Sequence, residues 1–319
     1  SGNIDFAQRL LTVEAFHAAM PTARFDASLA FDFSAAGPNL TGAARIGPSS
    51  ISSLMGAWPP VMAHGPRVAI LNTVRGGFVS GGDVVFAMTP LELDGDPTTN
   101  DMIGGGMAID SEFVGATLAS PDFPLAVLRA NGDMRMRDKT LSARVASGEV
   151  QAGEGGALKV VSGAFTIPTL AEQPPQALLK TTVDGPLSAV VAIAQRLDVP
   201  ELKKTPLAPG DVEGTFNADI TLKTPLADDV PDSERMWEVN ARLKGAATKV
   251  PVAGQTFSDG NIEVAINPRR LAARGRARID GLAIDVNYSE VFDGAKSGAA
   301  RFILTDKDRK ARGFDTEGT

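Results

Sequence analysis

Alternation with a period of two residues is the feature that most constrains this chain. "RFDASLAFDFS" sets Phe25, Ala27, Leu29, Phe31 and Phe33 on one side and Asp26, Ser28, Asp32 and Ser34 on the other. "NGDMRMRD" alternates Met134 and Met136 with Arg135 and Arg137. "TFNADITLK" opposes Phe216, Ala218, Ile220 and Leu222 to Asn217, Asp219, Thr221 and Lys223. "MWEVNARLK" does the same with Trp237, Val239, Ala241 and Leu243, and "NIEVAIN" and "GLAIDVNY" continue the theme. Successive side chains of a strand point to opposite faces, so each segment reads as an antiparallel strand with one apolar and one wet face. Asn131-Gly132, Asp259-Gly260, Asp280-Gly281 and Asp293-Gly294 read as the turns between them. Spacing of this kind predicts roughly fourteen strands.

That many one-sided strands cannot lie in one flat sheet, because the apolar face would meet water. The sheet must pair as a sandwich, close as a barrel or curl into a trough. Aromatic residues make up only 6% of the chain, and many inward positions are small to medium, such as Ala218, Ala241, Val264 and Ala277. Such residues allow an incompletely filled interior without requiring one, so sandwich, barrel and trough stay open at this point. The fold class predicted from the residues is mainly β, with two short helical segments.

The helical exceptions are residues 51–73, broken by Pro59 and Pro60, and residues 186–198, with Pro186 in the first turn. Residues 5–19 fit a helix nearly as well as a strand. The Pro-rich, charged stretch 200–211 reads as a connector. It divides an N-terminal β segment, 1–199, from a C-terminal one, 212–319, which continues the same sheet. The two sides share a coarse plan of strands, then a helix or linker, then a new run opening on glycine, but no strict period.

Several chemistries are excluded or unsupported. The chain has no cysteine, which removes disulfides, thiol catalysis and thiolate metal sites. Its two histidines, His17 and His64, cannot build a histidine-rich metal site, and no metal or cofactor is expected. A net charge of -7 disfavours nucleic acid. No run approaches 18 apolar residues. "IGGGMAID", residues 103–110, lacks the lysine and hydroxyl residue of a phosphate loop and reads as a strand turn or bulge. "GEGG", residues 153–156, reads as a hairpin loop. The acids Asp228, Asp229, Asp232 and Glu234 lack the spacing of a calcium loop. His64 has no acid or nucleophile beside it in sequence. Arg274, Arg276 and Arg278 alternate with Gly275, Ala277 and Ile279. They read first as the wet face of a strand, and second, with Arg269 and Arg270 of the same cluster, as a contact for lipid headgroups or an anionic membrane. No acid/base pair or nucleophile elbow stands out, so an enzyme is not expected.

The segment "AWPPVMAHGPRVAILNTVRGGFVSGGDVVFAM" adds a resemblance. Trp58, Pro59, Arg67, Asn72 and the strand opening Gly77-Phe78-Val79 are similar in type and order to a segment of the AsmA-like family of Gram-negative bacteria. Within that family, the YhdP/TamB type and its alphaproteobacterial branch look closest. Ala69 and Ile70 stand where the family carries an aromatic residue. "SGAFTIP", "VDGPLSAVVAIAQRLDV", "WEVNARLKG", "GRARIDGLAIDVNY" and "RGFDT" extend the likeness from about residue 25 to the end.

The resemblance implies a periplasmic protein anchored in the inner membrane by a helix outside this chain. It implies a long curled antiparallel sheet forming an apolar groove, of the bridge-like lipid-transfer type, that transfers phospholipid between inner and outer membrane, with envelope proteins as further partners. It supplies no catalytic residues. The groove lining is expected from Phe216, Ile220, Leu222, Trp237, Val239, Leu243, Ile262, Val264, Ile266, Ile279, Ile284 and Val286. The rival expectation is a non-enzymatic assembly module for outer-membrane homeostasis, with a filled core and a protein partner. The stretch around Trp58 is expected to close or cap one end or edge of the sheet as a brace, with a gate for lipid entry as the alternative.

Overall fold

A computed structural model describes residues 1–33, 39–57, 64–88, 106–120, 123–137, 139–170, 172, 174–197, 207–227, 230–252, 254–292, 294 and 296–311. Among them, eighteen strands belong to one long antiparallel sheet that does not close into a barrel. The fold class is thus mainly β, as the alternation requires. The strands outnumber the fourteen expected. The excess includes β1 (Gly2–Asp5) and the two-residue pieces β5 (Ser49–Ser50) and β6 (Val74–Arg75), all too short to carry an alternating pattern. The ambiguous N-terminal stretch contains a strand, β2 (Leu10–Met20).

The chain forms two compact units. The first comprises Ser1–Val150, Val160–Leu179 and Lys223–Arg235. Its strands β2, β3 (Ala23–Asp32), β4 (Asn39–Ile46), β7 (Phe78–Met88), β8 (Met107–Ser120), β9 (Phe123–Arg137) and β10 (Thr140–Gln151) pair in that order. Register carries one apolar row across them, Phe31, Leu40 and Met88, and, two rows along the same face, Val84, Ile109, Met136 and Leu141. Met88, Met107, Ile109, Met136, Ile167, Leu170 and Ala177 close into a core there. The reverse face carries a register row of charge, His17–Asp26–Arg45–Asp83–Asp110–Arg135. These pairs are exposed, so each is worth about 0–1 kcal/mol and marks the wet face more than it stabilises the fold.

The helix expected over 51–73 is present as α1 (Ile51–Ala57) and α2 (His64–Thr73). Trp58, Pro59 and Pro60 lie outside the described residues. Ile51, Leu54 and Met55 of α1 pack with Val79 onto Ala116 and Ala130, both fully buried.

The second unit comprises Gln151–Lys159, Lys180–Leu222 and Met236–Thr319. It holds the helix expected near 186–198 as α3 (Leu187–Arg196), preceded by Pro186 in extended backbone. Then come β13 (Val212–Pro225), β14 (Met236–Thr248), β15 (Phe257–Asn267), β16 (Arg270–Ile279), β17 (Leu282–Val291) and β18 (Lys296–Ile303). A short helix not foreseen from the sequence, α4 (Asp306–Ala311), ends the described chain. β11 (Ala157–Ile167) and β12 (Gln176–Pro186) each contribute residues to both units. Of the predicted connector 200–211, residues 200–206 lie outside the described residues, and Pro209–Asp211 form a 3-10 turn.

Of the four expected turns, Asp280-Gly281 is a turn: both residues have positive φ (48° and 80°), and they link Ile279 to its register partner Leu282 as a two-residue hairpin. Asp293 of Asp293-Gly294 lies outside the described residues. Asn131-Gly132 and Asp259-Gly260 instead sit inside β9 and β15, at β-bulges. Arg129 (φ 51°) and Asp259 (φ 52°) take the left-handed conformation. The asparagine two residues on, Asn131 or Asn261, donates its side-chain N–H back to that residue's carbonyl at 3.4 and 3.2 Å. A bulge and a tight turn need the same φ-permissive, self-bonding residues, so the dipeptides alone do not separate them.

These bulges expose a duplication that no strict sequence period announces. Gly115-Ala116 in β8 matches Gly245-Ala246 in β14, with φ 65° and 61° at the glycines. Asn131 matches Asn261, Asp133 matches Glu263 and Arg144 matches Arg274. All these pairs are 130 residues apart. Arg144 Nε donates to Asp133 at 2.9 Å, and Arg274 Nε donates to Glu263 at 2.8 Å. Upstream, Gly77 and Gly214, with φ 92° and 111°, play one part: a Cβ on either would lie 2.6 Å from Ala116 Cα or 2.8 Å from the Gly245 carbonyl oxygen. Each copy is introduced by a Gly-Pro pair ahead of a helix, Gly47-Pro48 and Gly185-Pro186. The intervals differ upstream and downstream, which is why no single period emerges.

Candidate functional site

The second unit presents the alternating strands at their most regular. Register joins Leu243, Ile262, Gly275, Val286 and Ala300 into one row across β14–β18. A second row is Ala241, Val264, Ala273, Tyr288 and Gly298. A third begins Val239, Ile266, Leu271 and ends on Glu290 and Lys296, which pair at 2.5 Å. Direct cross-strand partners share a face. Nine of the expected lining residues therefore lie on one face: Trp237, Val239, Leu243, Ile262, Val264, Ile266, Ile279, Ile284 and Val286. Phe216, Ile220 and Leu222 alternate with Asn217, Asp219 and Thr221 along β13 and so share one face of that strand.

This face is apolar without being sealed. Ile284 is 2% exposed and Phe216 and Ala241 are buried, but Trp237, Val239, Leu243, Ile262, Val264, Ile266, Ile279 and Val286 are only half-buried. Phe302, the register partner of Ile284 on β18, is 51% exposed. Tyr288 sits at the rim. Its hydroxyl donates to Glu290 at 2.6 Å. That hydrogen bond, with partial burial and the Glu290 charge, raises its pKa above the ordinary tyrosine value, against a smaller pull from Lys296.

Arg274, Arg276 and Arg278 alternate with the apolar residues of β16 and so occupy the opposite, polar face. Each meets an acid: Glu263 at 2.8 Å, Asp285 at 3.1 Å and Asp259 at 3.1 Å. Their wet-face character is thus as the alternation implies. A lipid lying along the apolar rows would reach these three arginines only around the edge of the sheet.

The polar face of β13–β17 also holds a cleft of about 560 Å³. Its lining includes Arg242, Arg270, Arg274 and Asn287, together with Ala265 and Ala272, and it is bordered as well by Ala241, Val264, Ala273 and Tyr288 of the second apolar row. Of these, Arg270 and Arg274 belong to the arginine cluster singled out from the sequence; Arg242, Asn287, Ala265 and Ala272 do not. The available signal was an alanine at a wet-phase position in each of "NIEVAIN" and "RRLAARG", where the alternation calls for a polar side chain.

No helix among the described residues is long and apolar enough to cross a membrane. Compared with protein-family models, curated proteins and solved structures, the chain matches none.

Proposed function

We propose that this chain is a phospholipid-binding and transfer segment of the AsmA-like type, working in the periplasm of a Gram-negative cell. In this reading the apolar rows of β14–β18 hold acyl chains and headgroups stay in water. The observation that carries it is the register. Two rows run across five strands without a charged residue, and most of their members are half-buried, with apolar surface to spare.

The energetics are favourable. Burying one methylene gains about 0.8 kcal/mol, so a sixteen-carbon chain is held by on the order of 10 kcal/mol. Successive positions along the rows are alike in chemistry, so a chain shifted by one strand exchanges like contacts for like, and movement meets low barriers. Transfer of this kind needs no catalytic group.

The test is uptake of a fluorescent fatty acid and of phospholipid by the purified chain. Replacing Ile220 and Val264 together with Asp should weaken uptake, since a charge in an apolar path costs several kcal/mol unless neutralised. Undiminished uptake by the folded double variant would refute the assignment. Co-purification of a stoichiometric protein, with no lipid, would favour the assembly-module reading in its place.

A further inference from the structure

We infer that the cleft of β13–β17 is a binding site for an organic phosphate, built from the polar side chains that alternate with the apolar rows. The duplication shows how the cleft is made. In the first unit, the row through Asp110, Arg135 and Ser142 is filled by an Arg135–Asp110 ion pair at 3.3 Å. In the second unit the matching positions are Asn240, Ala265 and Ala272, in the same register order. The arginine has become a methyl group and its acid an amide. The row is hollow, and the two alanines form its floor.

The walls of the hollow are rich in donors. Arg242, Glu263, Arg274 and Asn287 form the neighbouring register row. Glu263 is taken up by Arg274. Arg242 stands opposite Glu263 and makes no ion pair among the described residues. From the other side Arg270 donates to the Ser289 hydroxyl at 3.1 Å, which leaves most of its guanidinium N–H groups for a ligand. The cleft's other acid, Asp219, accepts from the Thr182 hydroxyl at 2.7 Å. Three guanidinium groups thus face two carboxylates, one of which is already forked by an arginine.

The chemistry of the occupant follows. One arginine fork saturates a planar carboxylate, whereas the oxygens of a phosphate accept from several directions. Donors here approach from both sides of the floor, which suits phosphate. The cleft, about 560 Å³ and open to solvent, has room for more than a bare phosphate ion. An organic remainder on the phosphate would rest on the methyl groups of Ala265 and Ala272, with hydroxyls for the amides of Asn240 and Asn287. Two sources share this chemistry: the headgroup of a phospholipid, and a soluble sugar or glycerol phosphate.

Calorimetric titration tests the site with glycerol 3-phosphate, inorganic phosphate and a six-carbon-chain phosphatidylglycerol below its micelle concentration. Saturable binding of glycerol 3-phosphate is expected, tighter than that of inorganic phosphate. Ala272→Leu should fill the floor, and Arg242→Gln should remove a charge-assisted hydrogen bond; each should weaken binding by about tenfold or more. Circular dichroism confirms that each variant is folded. Equal binding of the short lipid assigns the source to a headgroup, and its failure beside glycerol 3-phosphate assigns it to a soluble ester. Absence of saturable binding, affinity unchanged in folded Ala272→Leu, or inorganic phosphate binding as tightly as its ester would each overturn the proposal. Fatty-acid uptake, read in parallel, reports the apolar rows, so failure of one reading is distinguishable from failure of the other.

Discussion

Single residues on the apolar face differ sharply in what they do. Ile284 is almost fully enclosed beside Ala277, so Ile284→Ala should destabilise the fold by about 2–3 kcal/mol in a denaturant titration, toward the lower end for such truncations because the surrounding face is open. Val286, one row away and half-buried, should lose less on truncation to Ala; an equal loss would mean that this row is sealed. Tyr288 is the only tyrosine in the chain, so an absorbance titration reads it alone. Its hydrogen bond to Glu290 raises its folded pKa. The stability it contributes is therefore complete below the ordinary tyrosine value of about 10 and is lost as pH rises through the folded value. Its midpoint should lie above that of free tyrosine, and Glu290→Gln should bring it down. A midpoint at or below the free value would contradict the Tyr288–Glu290 geometry.

At the scale of elements, the bulges are where sequence and structure part. Alternation specifies a strand's two faces, and it placed Trp237, Val239, Ile262 and Val264 together as the register does. It does not specify where a strand absorbs an extra residue, because Asn131-Gly132 and Asp259-Gly260 use the same backbone chemistry as the genuine turn at Asp280-Gly281. The cleft was hidden for a related reason. Ala265 and Ala272 are 7 positions apart in the chain, and only the register sets them side by side. The duplicated bulges carry their own expectation. Gly214→Ala pushes a Cβ against the backbone of Gly245 and Ala246 and should destabilise clearly, as Gly77→Ala should against Ala116. Gly245 has positive φ but open space beside it, so Gly245→Asn, a residue that tolerates the left-handed region, should cost much less. Equal losses at Gly214 and Gly245, measured by thermal melting, would contradict the duplicated close approach.

On the scale of the whole molecule, one long open sheet leaves apolar area half-covered, and the account rests on what covers it. A filled core, a protein partner and a lipid are chemically distinct occupants. A photo-crosslinking amino acid can ask which is present, in protein exported to the periplasm of a Gram-negative host. Placed at Ile262 or Val286, on the apolar rows, it should yield phospholipid adducts detectable by mass spectrometry. Placed at Lys244, on the polar face of the same strands and not among the residues that line the cleft, it should yield none. Lipid adducts confined to the two apolar positions are the result the account predicts. Equal labelling at Lys244, or only protein adducts at Ile262 and Val286, would contradict it.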